Sequence, residues 1–211
     1  MPDAQRQTMP GAQRQTMIDS QLRTVGVMDG DVLAAFAAVR REDFVPAALR
    51  GLAYADAALE VAPGRWLLEP MVLALLLQNA RVTAADRALI IGAATGYSAA
   101  VVAAIGARVT ALDSDAGLAA PGMVVGPLSA GWPADAPYDL IIFEGAIEVL
   151  PAAIAAQLAP GGRVAAVVRD AGIGRAVVGP VIAGNRIGGL PFLEVAAKPL
   201  PGFAAAREFA F

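Results

Sequence analysis

The spacing of apolar positions changes along the chain. Between residues 18 and 39 they recur three or four apart: Ile18, Leu22 and Val25, then Val32, Leu33, Phe36 and Val39. That spacing places them on single faces of two helices, the second with Asp29 or Asp31 positioned as its cap. Pro70, whose fixed φ suits a first helical turn, predicts a helix through Leu73, Leu76 and Leu77. From residue 88 onward short continuous apolar runs take over. Ala88–Ile91, Arg108–Leu112, Met123–Val125, Tyr138–Phe143 and Arg163–Val168 read as strands, with helices over Tyr97–Ile105 and Leu150–Leu158 between them. Apolar strands alternating with helices imply an α/β fold with a doubly wound, mostly parallel sheet covered on both faces. After Asp170 glycine and β-branched residues dominate without a helix-length pattern. That tail predicts antiparallel edge strands ending at Phe209 and Phe211, opposite an N-terminal helical segment.

The N-terminus repeats itself: Met-Pro-Asp-Ala-Gln-Arg-Gln-Thr over residues 1–8, then Met-Pro-Gly-Ala-Gln-Arg-Gln-Thr over 9–16. Two copies are too few for a stacked repeat architecture. Residues 1–16 are therefore expected to be a disordered extension, the second copy leading into the first helix, and residues 17–211 one domain. Arg40-Arg41-Glu42-Asp43 reads as a solvated face at a helix end.

Composition narrows the chemistry. The hydrophobic share is 57%, much of it alanine, yet the most apolar run, Met71–Leu77, is far shorter than the ~20 residues of a membrane span. A net charge of −3 gives no basic excess to attract nucleic acid or an anionic membrane. Cysteine and histidine are both absent, which excludes disulfides, thiolate sites and the commonest metal ligand and general base. No metal site is expected. Met1–Thr16 is polar and lacks the apolar core of a secretory signal, so the expected compartment is the cytoplasm.

Candidate chemistry lies where strand gives way to helix. Gly92-Ala93-Ala94-Thr95-Gly96 follows the first predicted parallel strand and opens a helix, a position where backbone approaches nucleotide-like ligands in doubly wound folds. Asp113 ends the next strand, where a carboxylate can accept from both ribose hydroxyls. The plainer reading is an ordinary strand–helix turn with Asp113 capping the next helix. Glu144 comes after the fourth strand, at the ligand-binding edge of the sheet. With Gly145-Ala146 and Glu148 it suits a cationic or hydroxylated group, or else it is a carboxylate favoured at a helix N-terminus. A dinucleotide-dependent oxidoreductase would call for a more regular Gly-x-Gly-x-x-Gly turn.

From Met17 onward the chain resembles the protein-L-isoaspartate O-methyltransferase family. The segments carrying the likeness are Val39-Arg40-Arg41-Glu42-Asp43-Phe44-Val45-Pro46, Ala53-Tyr54-Ala55-Asp56, Gly92–Tyr97, Ala136-Pro137-Tyr138-Asp139, and Gln157-Leu158 with Gly161-Gly162-Arg163. The tail Leu200-Pro201-Gly202-Phe203 is similar to a bacterial sub-branch. The resemblance implies S-adenosylmethionine as cofactor and isoaspartyl residues of damaged proteins as methyl acceptors. It places Gly92, Ala94, Gly96, Asp113 and Gly126 at the cofactor and Leu68, Glu69 and Glu144 at the rim, with no catalytic residue assigned. Such a reaction asks little of side chains, because a sulfonium is already activated and a carboxylate is already a nucleophile.

Departures from the family pattern gather at this site. Trp66-Leu67-Leu68-Glu69-Pro70 stands where the family has Thr-Ile-Ser-Gln-Pro, so Leu68 replaces a hydroxyl and Glu69 an amide. Ile90 replaces an acidic residue, Ala94 replaces the central glycine, and Gly126-Pro127-Leu128 replaces Gly-Asp-Gly. Only ten residues, Asp113–Gly122, separate the second and third predicted strands, where a parallel crossover usually needs a dozen or more. Two readings stand open: a reshaped pocket that still binds S-adenosylmethionine, or a catalytically silent binding or scaffold protein on the same fold.

Overall fold

The computed structural model describes residues 11–205; the predicted ends at Phe209 and Phe211, and residues 1–10, lie outside them. Residues 11–17 form helix α1, which continues as a π-helical turn over Ile18–Leu22. Met17, Ile18 and Leu22 are buried, while Gln15, Asp19 and Arg23 interact along the outer face. The second repeat copy is thus helical from residue 11, and the expected disordered extension does not reach residue 16. Helix α2 (Gly30–Ala38) is capped by the Asp29 carboxylate, which accepts from the N–H groups of Asp31 and Val32. Strands β1 (Leu59–Ala62) and β2 (Arg65–Leu67) then form an antiparallel hairpin. The Pro63-Gly64 loop of the sequence reading is its turn.

Helix α3 (Pro70–Ala80) opens on its proline as expected. The α/β body comes next: β3 (Arg87–Ile91), α4 (Tyr97–Ile105), β4 (Arg108–Asp113), β5 (Val124–Val125), β6 (Tyr138–Ile147), α5 (Ala152–Ala155) and β7 (Leu158–Asp170). The chain ends in β8 (Ile173–Gly179), a small hairpin of β9 (Val181–Ile182) and β10 (Arg186–Ile187), and β11 (Leu193–Glu194). The main sheet has the order β11-β8-β7-β6-β3-β4-β5, with β3 to β7 parallel and β8 and β11 antiparallel. The doubly wound sheet and its antiparallel C-terminal edge therefore match the expectation. The helix expected over Leu150–Leu158 shrinks to four residues. Pro151 delays its start, and Leu158 already pairs with Tyr138 as the beginning of β7.

Alternation along β3 separates two cores. Ala88 and Ile90 face α2, α3 and α4, together with Phe36, Leu73 and Val101. Leu89 and Ile91 face the other way, toward Phe143, Ile154, Leu200 and Phe203. Two features shape the carboxyl end of the sheet. The β4–β5 crossover, Ser114 to Met123, contains no helix, yet the strands still pair in parallel. The C-terminal segment also doubles back over β6: Ala146 N–H donates to Lys198 O, Leu200 N–H to Ala146 O, and Glu148 N–H to Phe203 O.

Candidate functional site

The glycine turn sits where β3 hands over to α4. Gly92 and Ala93 donate their N–H groups to Leu112 O, tying the turn to the end of β4. Gly96, at φ +91°, is the residue from which α4 starts. Ala94 has φ +50°, a left-handed conformation that costs a side-chain-bearing residue ~1–2 kcal/mol. Its N–H donates to Asp113 Oδ2 at 2.9 Å. Gly126 N–H donates to Asp113 O at 3.0 Å, so Gly92, Ala94, Gly96, Asp113 and Gly126 do converge at one edge.

Asp113 is nevertheless not an open carboxylate. Oδ1 accepts from Arg65 Nε at 3.0 Å and from Asp115 N–H at 2.9 Å, and both partners of the ion pair are buried. Three of its roughly four acceptor positions are filled by the protein itself. Gly92 has a structural duty too. A Cβ there would lie 2.5 Å from Leu200 Cδ1, so the glycine admits the chain's own C-terminal segment.

A second polar group lies beside the turn. The β6–β7 register shifts between Ile142 and Ala146, and the bulge re-aims Glu144. Glu144 is therefore a strand residue, not the helix-terminal carboxylate that was the alternative. Its Oε1 accepts from Leu68 N–H at 2.9 Å. Burial pushes its carboxyl up to about 7, against the opposing effects of the Leu68 bond and the Arg41 charge. Arg41 donates Nη2 to Leu68 O at 2.7 Å and lies 4.6 Å from the centre of the Tyr97 ring. The charged stretch read as solvated is split. Arg40 stays outside and pairs with Glu42 and Asp43, whereas Arg41 is fully buried and Glu42 accepts from the Tyr54 hydroxyl. A tight 3-10 turn over Arg41–Phe44 makes that inward rotation possible.

A family model described as Protein-L-isoaspartate(D-aspartate) O-methyltransferase (PCMT) matches residues 12–119 and 114–176. The chain belongs to this family. The protein-L-isoaspartate O-methyltransferase of Methylorubrum extorquens (strain PA1) is 41% identical over 155 residues, 68% of each chain. That of Methylorubrum populi (strain ATCC BAA-705 / NCIMB 13946 / BJ001) is 38% identical over 68% of this chain and 73% of its own. Among solved structures, a protein-L-isoaspartate O-methyltransferase superposes with TM-score 0.73 at 22% identity, over 86% of this chain and 64% of that one. A Plasmodium falciparum protein, described as a putative member in complex with S-adenosyl-L-homocysteine, gives TM-score 0.73 at 16% identity, over 89% and 97%. At those identities the two structures speak for the fold.

Leu68 and Glu69, the residues expected at the rim, are held differently. Leu68 turns its side chain into the core and offers only its backbone, which Glu144 and Arg41 hold from either end. Glu69 precedes α3 without a side-chain cap bond, and burial, with Asp56 nearby, raises its carboxyl above the ordinary range. Arg41, Arg65, Tyr97 and Leu200 were not among the sequence candidates. Arg65 could have been suspected from the alternation of Leu59, Val61, Arg65 and Leu67 about Pro63-Gly64, which makes a hairpin pointing the arginine inward. No local signal points to Leu200. No helix among the described residues is long and apolar enough to cross a membrane.

Proposed function

We propose that this chain uses S-adenosylmethionine to methylate the free carboxylate of isoaspartyl residues in damaged proteins. One observation carries the reading beyond family membership. Among the described residues, Arg41 Nε and Nη1, Tyr97 OH, Ser98 Oγ and Glu144 Oε2 are buried and have no hydrogen-bond partner. An unsatisfied buried polar group costs ~1–3 kcal/mol, more if charged. Such a set suits a protein that binds a polar ligand, and it gives no support to the silent-scaffold alternative.

The backbone of Gly92–Gly96, the remaining acceptor capacity of Asp113 and the edge at Gly126 would hold the nucleoside. When bound, the cofactor supplies a methyl group already activated on a sulfonium, so the acceptor oxygen needs no general base. The protein's own residues bind, orient and exclude water. Leu67, Leu68 and the α3 entry form a dry wall, and Glu144 and Arg41 fix its backbone. A cytoplasmic setting belongs to the same proposal, since a chain without cysteine draws nothing from an oxidising compartment.

The test is transfer of labelled methyl from S-adenosylmethionine to a peptide containing isoaspartate, beside the same peptide with normal aspartate. Transfer to the first alone is the expected result. Its rate should trail relatives that carry a hydroxyl at the Leu68 position, since losing one positioning donor costs ~10²–10³. No transfer, together with no binding of S-adenosylhomocysteine, would overturn the proposal in favour of a silent scaffold.

A further inference from the structure

The sequence holds a single lysine, Lys198. Its backbone is fixed against the end of β6. Lys198 O accepts from Ala146 N–H at 2.8 Å, and Leu200 N–H donates to Ala146 O at 2.8 Å. Pro199, between the two bonded residues, bridges to Ala146 as a parallel strand would. Gly145 permits the approach, since a Cβ there would lie 3.1 Å from Lys198 O. The side chain, by contrast, is exposed. It reaches across to β2, where Nζ lies 5.0 Å from the centre of the half-buried Trp66 ring. The face of an aromatic ring attracts a charged ammonium and gives a flexible stem a resting place.

That resting place is at the mouth of the site. Trp66 stands two residues before Leu68, whose N–H is held by Glu144, and Glu144 stands two residues before Ala146. Lys198 thus joins the same two segments as the Glu144–Leu68 bond, but on the solvent side, for Glu144 and Leu68 are buried. The other cations of the site are engaged: Arg41 donates to Leu68 O, Arg65 pairs with Asp113, and Arg40 pairs with Glu42 and Asp43. The rim nearby is acidic, with Asp56 beside Glu69. An anionic acceptor entering here meets Lys198 as its counter-charge.

We propose that Lys198 draws in and orients the acceptor carboxylate, in place of the hydroxyl and amide that Leu68 and Glu69 replace. The inference rests on the methyltransferase reading. The flexible stem lets the ammonium leave the Trp66 ring for a carboxylate oxygen without moving the pinned backbone. The other carboxylate oxygen keeps its lone pair for the methyl group. As the methyl arrives the acceptor's charge is lost, so the ammonium favours the bound acid over the transition state and over the neutral ester. Lys198 therefore acts on binding and selection more than on rate. It holds the acid and lets the ester go.

The experiment is labelled-methyl transfer to an isoaspartyl peptide, varied at saturating S-adenosylmethionine. K198M keeps a long apolar stem and removes the charge, and K198R restores it. K198M should raise the peptide KM about tenfold while kcat stays within about threefold, and K198R should keep KM within about threefold of wild type. Added salt should raise KM for wild type and leave that of K198M nearly flat. Affinity for S-adenosylhomocysteine, read by calorimetry, should stay within about twofold in both variants. Because Lys198 is the sole lysine, acetylation mapped by mass spectrometry reads it directly. With S-adenosylhomocysteine present, the isoaspartyl peptide should protect it and the same peptide with normal aspartate should not. An unchanged KM in K198M overturns the proposal, as does equal labelling with both peptides. A loss shared by peptide and S-adenosylhomocysteine marks a structural role and overturns it too, and so does a K198R as poor as K198M. Each of these leaves methyl transfer by wild type intact. A wild type that neither transfers methyl nor binds S-adenosylhomocysteine removes the methyltransferase reading, and this inference with it.

Discussion

Glu144→Gln carries the sharpest stability prediction. In the folded chain the Glu144 carboxyl titrates at about 7, against 4.5 for an ordinary glutamate. Desolvation is the main cause, because the side chain is buried and one of its oxygens has no partner among the described residues. The folded state therefore holds a proton that the unfolded chain releases. This contribution to stability is complete below the unfolded value and is lost as pH rises through the folded one. Since a tenfold change in proton affinity is worth ~1.4 kcal/mol, the difference between the two values amounts to about 3 kcal/mol at most. Urea unfolding of wild type and E144Q at about pH 5 and about pH 8 isolates it, because other groups titrate alike in both proteins. Wild type should lose about 2–3 kcal/mol more than the variant between those conditions. Parallel profiles would refute the assignment of a buried, neutral-range carboxyl to Glu144.

Three further outcomes concern the packing. Arg65→Met or Asp113→Asn leaves one member of a buried ion pair without its partner and should cost about 3–5 kcal/mol in urea unfolding. Leu200→Ala should cost about 2–5 kcal/mol, and Gly92→Ala should destabilise through both its φ of +75° and its overlap with Leu200. The double variant should cost less than the sum of the two, which a cycle of melting measurements checks. A chain starting at Met17 should melt a few degrees below one starting at Gly11, roughly 1 kcal/mol for a domain of this size, because the helix over residues 11–17 is removed.

The fold was legible because period dominates it. The runs at Ala88–Ile91 and Tyr138–Phe143 are apolar on both faces, and only a strand buried between two layers needs that. Pro70 and Asp29 mark helix starts through backbone chemistry local to those residues. The glycine turn and Asp113 could be set at one sheet edge, since strand, turn, helix and strand succeed one another without interruption. What stayed hidden depends on distant partners. Asp113 looked free because its counterion comes from Arg65, 48 residues away across a hairpin hidden in a proline–glycine loop. Arg41 looked solvated because four charges in a row resemble a surface, and only its contacts with Leu68 and Tyr97 show that one of them turns inward. The extent of α1 was missed because polar residues along a helix's outer face read the same as disorder.

The fold of residues 198–203 over β6 has a consequence for synthesis. Leu200 closes on Gly92, and Phe203 O receives the Glu148 N–H, so the edge that gathers the glycine turn is covered by residues made after the whole of the main sheet from β3 to β7. Chains emerge from the ribosome N-terminus first at roughly 5–20 residues per second. The sheet from β3 to β7 can pair while the ribosome is still adding the tail, but during that interval Leu89, Ile91 and Phe143 lack the cover that Leu200 and Phe203 later give them. Strands assembled before residues 198–203 are in place would leave one apolar face open. A stop codon just before Leu200 would make that transient stage permanent.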